Sequence, residues 1–130
     1  MIAVDTNVIV RFLTADEPTQ TAIATDLLAS HSVLVSSTVL VETEWVLRSR
    51  YRWPRARINS ALQDLVRLHN VTVERSAGTA WTLERHSAGA DLADMLHIAA
   101  AREATRFVTF DKRAVSDAGQ TPPVAVELLA

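Results

Sequence analysis

With 130 residues, 48% of them hydrophobic and 22% charged, the chain fits one globular domain with a sizeable core. The lack of cysteine excludes disulfides and thiolate metal sites and suits a reducing compartment. The net charge of −2 hides an uneven basic set, twelve Arg and a single Lys, five of the Arg crowded between positions 48 and 57. No apolar run is long enough to span a membrane, and Asp5 and Arg11 interrupt what would be the core of a signal peptide. A cytoplasmic location away from membranes is the expectation.

The opening stretch, MIAVDTNVIVRFL, makes a short strand at 2–4 and then sets Asp5, Thr6 and Asn7 beside it. A carboxylate there is costly to desolvate without a partner. Asp16 as N-cap, with Glu17 and Pro18 after it, predicts a helix running to about Ser30. VLV at 33–35 reads as a strand, followed by a helix from Ser36 or Ser37 that carries TVLVETEWVLRS. Pro54 opens a helix to about His69, and VTV at 71–73 is a weaker strand. Ser76 is placed to cap a helix ending near 87–90, and Asp91 to cap another through LADMLHIAAAREAT. FVTF at 107–110 and VAV at 124–126 complete the strands. Strands alternating with helices predict a single α/β domain, residues 1–130, with a mostly parallel sheet flanked by helices.

In open α/β sheets, ligands bind at the carboxyl ends of the strands, the edge where the following helices also begin. Asp5 and Asp111 end two strands, Glu42 lies early in the helix after VLV, and Asp91 and Asp94 open the helix before FVTF. Five carboxylates from distant segments are thus expected at one rim. Such a cluster raises its own pKa values unless a hard cation such as Mg²⁺ or Mn²⁺ neutralises it. Setting these five aside from the 15 acids leaves the 13 basic residues in excess. An acidic, metal-loading pocket on a basic body suits hydrolysis of a polyanion.

Each residue also has a structural role open to it. Asp5 can cap a short helix over TNVIVRFL, Asp91 is well placed as an N-cap, and Asp111 in TFDKR can be a turn residue. On a helical wheel Glu42 falls beside the apolar stripe, whereas Glu44, four residues before Arg48, reads as an ordinary surface pair. Asp94 shares a face with Ile98 and Ala101. His97 reads as a partly buried helix histidine. Thr6, Asn7 and Thr109 are small polar groups suited to orienting carboxylates or bound water, or to capping backbone. Trp45, Tyr51 and Trp53 flank the Arg cluster, a mixture that serves either base stacking with phosphate pairing or a dimer interface.

Four stretches in order, AVDTNVIVRFL, LVETEWVL, GADLADMLHIAAA and FVTFDKR, resemble PIN-domain ribonucleases, most closely the VapC-type toxins of bacterial toxin–antitoxin pairs. The resemblance implies about five parallel strands with flanking helices, and Mg²⁺- or Mn²⁺-dependent endoribonuclease activity. It implies a catalytic quartet of Asp5, Glu42, Asp94 and Asp111, with metal held by Asp5, Asp94 and Asp111. Thr109 falls on a hydroxyl usual two residues before the last acid, and Asp91 on an auxiliary acid. It further implies an RNA substrate, a homodimer, and a cognate VapB-like antitoxin whose C-terminal segment covers the active site. Three other readings fit the sequence less well. A PIN-like binding module would lack catalysis, and a phosphoacceptor receiver domain would need an Asp after its third strand. A haloacid-dehalogenase-type phosphatase would need Asp where this chain has Asn7.

Overall fold

The computed structural model describes residues 1–74 and 78–130; the proposed cap at Ser76 lies outside them. The chain forms two compact units, Met1–Glu74 and Arg75–Ala130. The first contains β1 (Ile2–Ala3), α1 (Thr6–Thr14), α2 (Pro18–Ser30), β2 (Val33–Val35), α3 (Ser37–Ser49), α4 (Arg55–Arg67) and β3 (Val71–Val73). The second contains α5 (Thr79–Ser87), α6 (Leu92–Ala100), β4 (Arg106–Thr109), α7 (Lys112–Asp117) and β5 (Ala125–Leu128).

Within the first unit the strands form a parallel sheet in the order β1-β2-β3, with Ile2 opposite Val33 and Val33 opposite Val71. Parallel neighbours need long crossovers, and the helices between the strands supply them. The buried side chains at Val33, Val35, Val71 and Val73 face apolar helix stripes carrying Ile9, Leu40, Leu47, Ile58, Leu62 and Leu65, all nearly or fully inaccessible to solvent. Complete burial of a Leu or Ile side chain contributes about 1.5–3 kcal/mol, so this cluster fixes the sheet edge from which α1 and α3 emerge.

The second unit pairs β4 with β5 in parallel, Phe107 opposite Val126 and Thr109 opposite Leu128. Its core joins Ala90, Met95, Ile98, Ala118 and Val124, with Trp81, Phe107 and Val126 packed against it. Gly78 is required at its place, because a Cβ there would lie 2.7 Å from the Ala99 Cβ, closer than real carbon contacts allow. The five expected strands are therefore present and every pairing among the described residues is parallel, divided three and two.

Local differences from the sequence reading have identifiable causes. Glu17, rather than Asp16, caps α2, its carboxylate accepting from the Gln20 N–H. Asp16 is instead held by side chains, accepting from Arg11, Thr14 and the Tyr51 hydroxyl. The α6 helix stops at Ala100 rather than continuing through Thr105, and tight turns follow it. At 106–109, Arg106 and Val108 are exposed while Phe107 and Thr109 are partly covered, so the FVTF run is not buried throughout. The six-residue α7 was not foreseen, since one and a half turns leave no apolar period to read.

Candidate active site

In the first unit, Asp5 follows β1 and serves as N-cap of α1, its Oδ1 accepting from the Thr6 N–H at 2.7 Å. The capping role read from the sequence is real. It uses one carboxylate oxygen, and Oδ2 has no hydrogen bond among the described residues. Glu42, on α3, is exposed and lines the same cavity of about 320 Å³ as Asp5, Thr6 and Asn7. The α3 helix reaches this cavity because Ser36 caps its start, accepting from the Val39 N–H, and Leu40 and Leu47 anchor its other face. Thr6 is buried, and its Oγ1 is one of the enclosed hydroxyls without a hydrogen-bond partner among the described residues.

Glu44 departs from the surface role expected for it. Its pairing with Arg48 is present, Nε to Oε1 at 2.8 Å and Nη2 to Oε2 at 3.4 Å, but Glu44 is buried while Glu42 is exposed. Glu42, expected beside the apolar stripe, is solvent-facing at the cavity instead.

In the second unit, Asp91 caps α6 through Oδ2, which accepts from the Asp94 N–H at 3.0 Å. Asp94 is half-buried one turn into that helix. Burial pushes its carboxyl above the ordinary value, and the negative charges of Asp91, Asp111 and Asp117 push it further, while His97 opposes them. His97 is exposed, not partly buried as its helical position suggested. Asp111 ends the segment after β4 and caps α7, its Oδ1 accepting from the Arg113 N–H at 2.8 Å. The Thr109 hydroxyl in turn accepts from the Asp111 N–H at 3.0 Å, fixing the turn that carries the carboxylate.

The donors are carboxylate and hydroxyl oxygens, the set a hard divalent cation selects. Two observations fit such an ion: the Thr6 hydroxyl, unpartnered among the described residues, beside the Asp5 and Glu42 carboxylates, and the burial and then like charge that raise the Asp94 carboxyl above its ordinary value. Within either unit, no three His, Asp or Glu side chains among the described residues are grouped closely enough to hold a metal ion.

Sequence reasoning missed Arg11 and did not connect Trp45, Arg50 and Tyr51 to this place. All four line the cavity with Asp5 and Glu42. For Arg11 a signal existed: it stands four residues after Asn7, on the same face of α1. For the other three the signal is their shared position around the end of α3.

A parallel α/β fold with carboxylates following its strands places this chain in a recognisable class. The PIN-domain family model matches residues 2–119, a stretch that runs through both units, and the chain belongs to the PIN-domain family. That fold is generally a nuclease fold, and its members typically depend on divalent metal ions. No curated protein and no solved structure matches the chain. No helix among the described residues is long and apolar enough to cross a membrane.

Proposed function

We propose that this PIN-domain protein is a metal-dependent endoribonuclease, acting as a VapC-type toxin held in check by a cognate antitoxin. The observation that carries the nuclease reading is the shared cavity of Asp5 and Glu42, which brings a strand-end carboxylate and a helix carboxylate from distant sequence to one place. Asp5, Asp94 and Asp111 are the proposed ligands for Mg²⁺ or Mn²⁺, with Glu42 as a further ligand or base and Asp91 as an auxiliary acid. When bound, such an ion polarises a phosphate and lowers the pKa of water.

The side chains divide the remaining work. Asp5 keeps α1 capped through Oδ1 and has Oδ2 available to a ligand. Glu42 is exposed in the cavity and in a position to take a proton from an attacking water. Thr109 holds the backbone of Asp111, and the positive form of His97 favours the ionised form of Asp94. The toxin role, the homodimer, the VapB-like antitoxin and the cytoplasmic setting rest on the four sequence stretches and belong to the same proposal.

Incubation of the antitoxin-free protein with single-stranded RNA and Mn²⁺ tests the activity. Wild type should cleave, EDTA should stop it, and Asp5→Asn, which retains an oxygen for the α1 cap, should lose about 100-fold or more. Undiminished cleavage by that variant would remove Asp5 from the site. Relief of growth arrest by the protein encoded beside this one would support the toxin role; no arrest on expression would count against it.

A further inference from the structure

The cavity that holds Asp5 and Glu42 also contains two guanidinium groups, and their situations differ. Arg11 is engaged through two of its nitrogens: Nε donates to Gln20 at 2.7 Å, and Nη1 to Asp16 at 3.3 Å and to the Tyr51 hydroxyl at 3.1 Å. Arg50, at the C-cap of α3, has no carboxylate partner among the described residues. Its guanidinium lies 5.9 Å from the centre of the Trp45 ring, at the outer limit of a cation–π contact. The second such pair, Arg57 over Trp53, is closer, at 3.8 Å. Trp45 is 47% exposed, an expensive position for an indole unless something covers it.

A half-exposed indole, a guanidinium without a carboxylate partner among the described residues and two carboxylates thus line one cavity, with the buried Thr6 hydroxyl, likewise unpartnered among those residues, beside them. Its volume, about 320 Å³, is at the small end of ligand sites. We infer that Trp45 and Arg50 form the nucleotide-holding part of the site: one base of single-stranded RNA stacks on Trp45 and its adjoining phosphate pairs with Arg50. This placement of one base and one phosphate rests on the nuclease reading. Bases in a duplex have no free face to offer, so the strand must be unpaired. Arg50 then does for the incoming phosphate what Asp16 does for Arg11, supplying the missing opposite charge. Tyr51, held by Asp16, anchors the chain immediately after Arg50.

The test is binding of a single-stranded ten-nucleotide oligouridine in EDTA, where no cleavage occurs, followed by fluorescence anisotropy alongside a duplex of equal length. Trp45→Ala should weaken binding about tenfold, in line with loss of one stacked base, while Trp45→Phe should stay within about threefold of wild type. Arg50→Gln should weaken binding and make the logarithmic salt dependence shallower by about 0.7, the amount for one phosphate contact on a single strand; Arg50→Lys should retain that slope. Duplex should bind more weakly than single strand. Equal binding by wild type, Trp45→Ala and Arg50→Gln, all folded by circular dichroism, would overturn the inference. So would a Trp45→Ala variant that changes only oligomeric state, since the ring would then belong against a second copy. If wild type still cleaves RNA with Mn²⁺ in either case, the nuclease reading survives; if it neither binds nor cleaves, both fall.

Discussion

The acids of the two units stand in opposite electrostatic settings. Around Asp5 and Glu42, the cavity includes two Arg side chains, Arg11 and Arg50. Asp94 is held above the ordinary value first by burial and then by the charges of Asp91, Asp111 and Asp117, with His97 opposing them. The first setting pairs carboxylates with cationic side chains, and the second gathers carboxylates beside one another. The proposed metal ligands, Asp5 from the first and Asp94 and Asp111 from the second, are drawn from both.

The sharpest way to break the comparison is to neutralise the acids one at a time. Asp5→Asn and Glu42→Gln should each reduce metal-dependent cleavage by about 100-fold or more, read from initial rates on single-stranded RNA, with unfolding midpoints close to wild type. A large loss of stability instead would make these residues structural. Next in size is a change in the scaffold of the second unit. Gly78→Ala drives a Cβ into Ala99 and should cost about 1–3 kcal/mol in denaturant unfolding; a neutral outcome would mean that α5 and α6 can separate freely.

Asp94→Asn sharpens the contrast by pH. A carboxyl raised in the folded state makes the folded chain hold more protons than the unfolded one between pH 3.8 and the raised value. Stability therefore falls as pH climbs through that window, and at pH 7 the ionised Asp94 is a net cost. Metal-free Asp94→Asn should equal or exceed wild type in stability at pH 7, with the gain vanishing below pH 3.8. A less stable variant at pH 7 would contradict the account of a carboxyl raised by burial and like charge.

The smallest effect belongs to the first unit, where Asp16 shows the opposite sign. The Tyr51 hydroxyl, then Thr14, with a lesser contribution from Arg11, hold its carboxyl below the ordinary value against an opposing effect of burial. Its favourable contribution is present above pH 3.8 and disappears as pH falls through the lowered value. Tyr51→Phe should raise the Asp16 pKa towards 3.8, visible in the carboxyl carbon shift by NMR. No change would separate Tyr51 from this network.

Much of this was legible in the residues themselves. VLV at 33–35 and VTV at 71–73 became strands at those positions, because short β-branched runs between polar turns have little alternative. Ser36 and Asp91 capped the helices expected of them, since their oxygens satisfy N–H groups that the helix cannot. The reading failed where a partner far along the chain decides. Asp16 lost its cap role to Glu17 because Tyr51, 35 residues away, claims it. Glu44 became buried through packing that a helical wheel does not contain. Arg11 escaped notice because its acceptors, Asp16, Gln20 and Tyr51, meet only after α1, α2 and the end of α3 are assembled.

Calorimetric titration of Mn²⁺ into the antitoxin-free protein, wild type and Asp94→Asn side by side, tests the central claim most directly. Binding to wild type that is lost in the variant, with unchanged circular dichroism, is the predicted result. A folded wild type that takes up no Mn²⁺, or a variant that binds it equally well, would contradict the proposed metal-dependent nuclease.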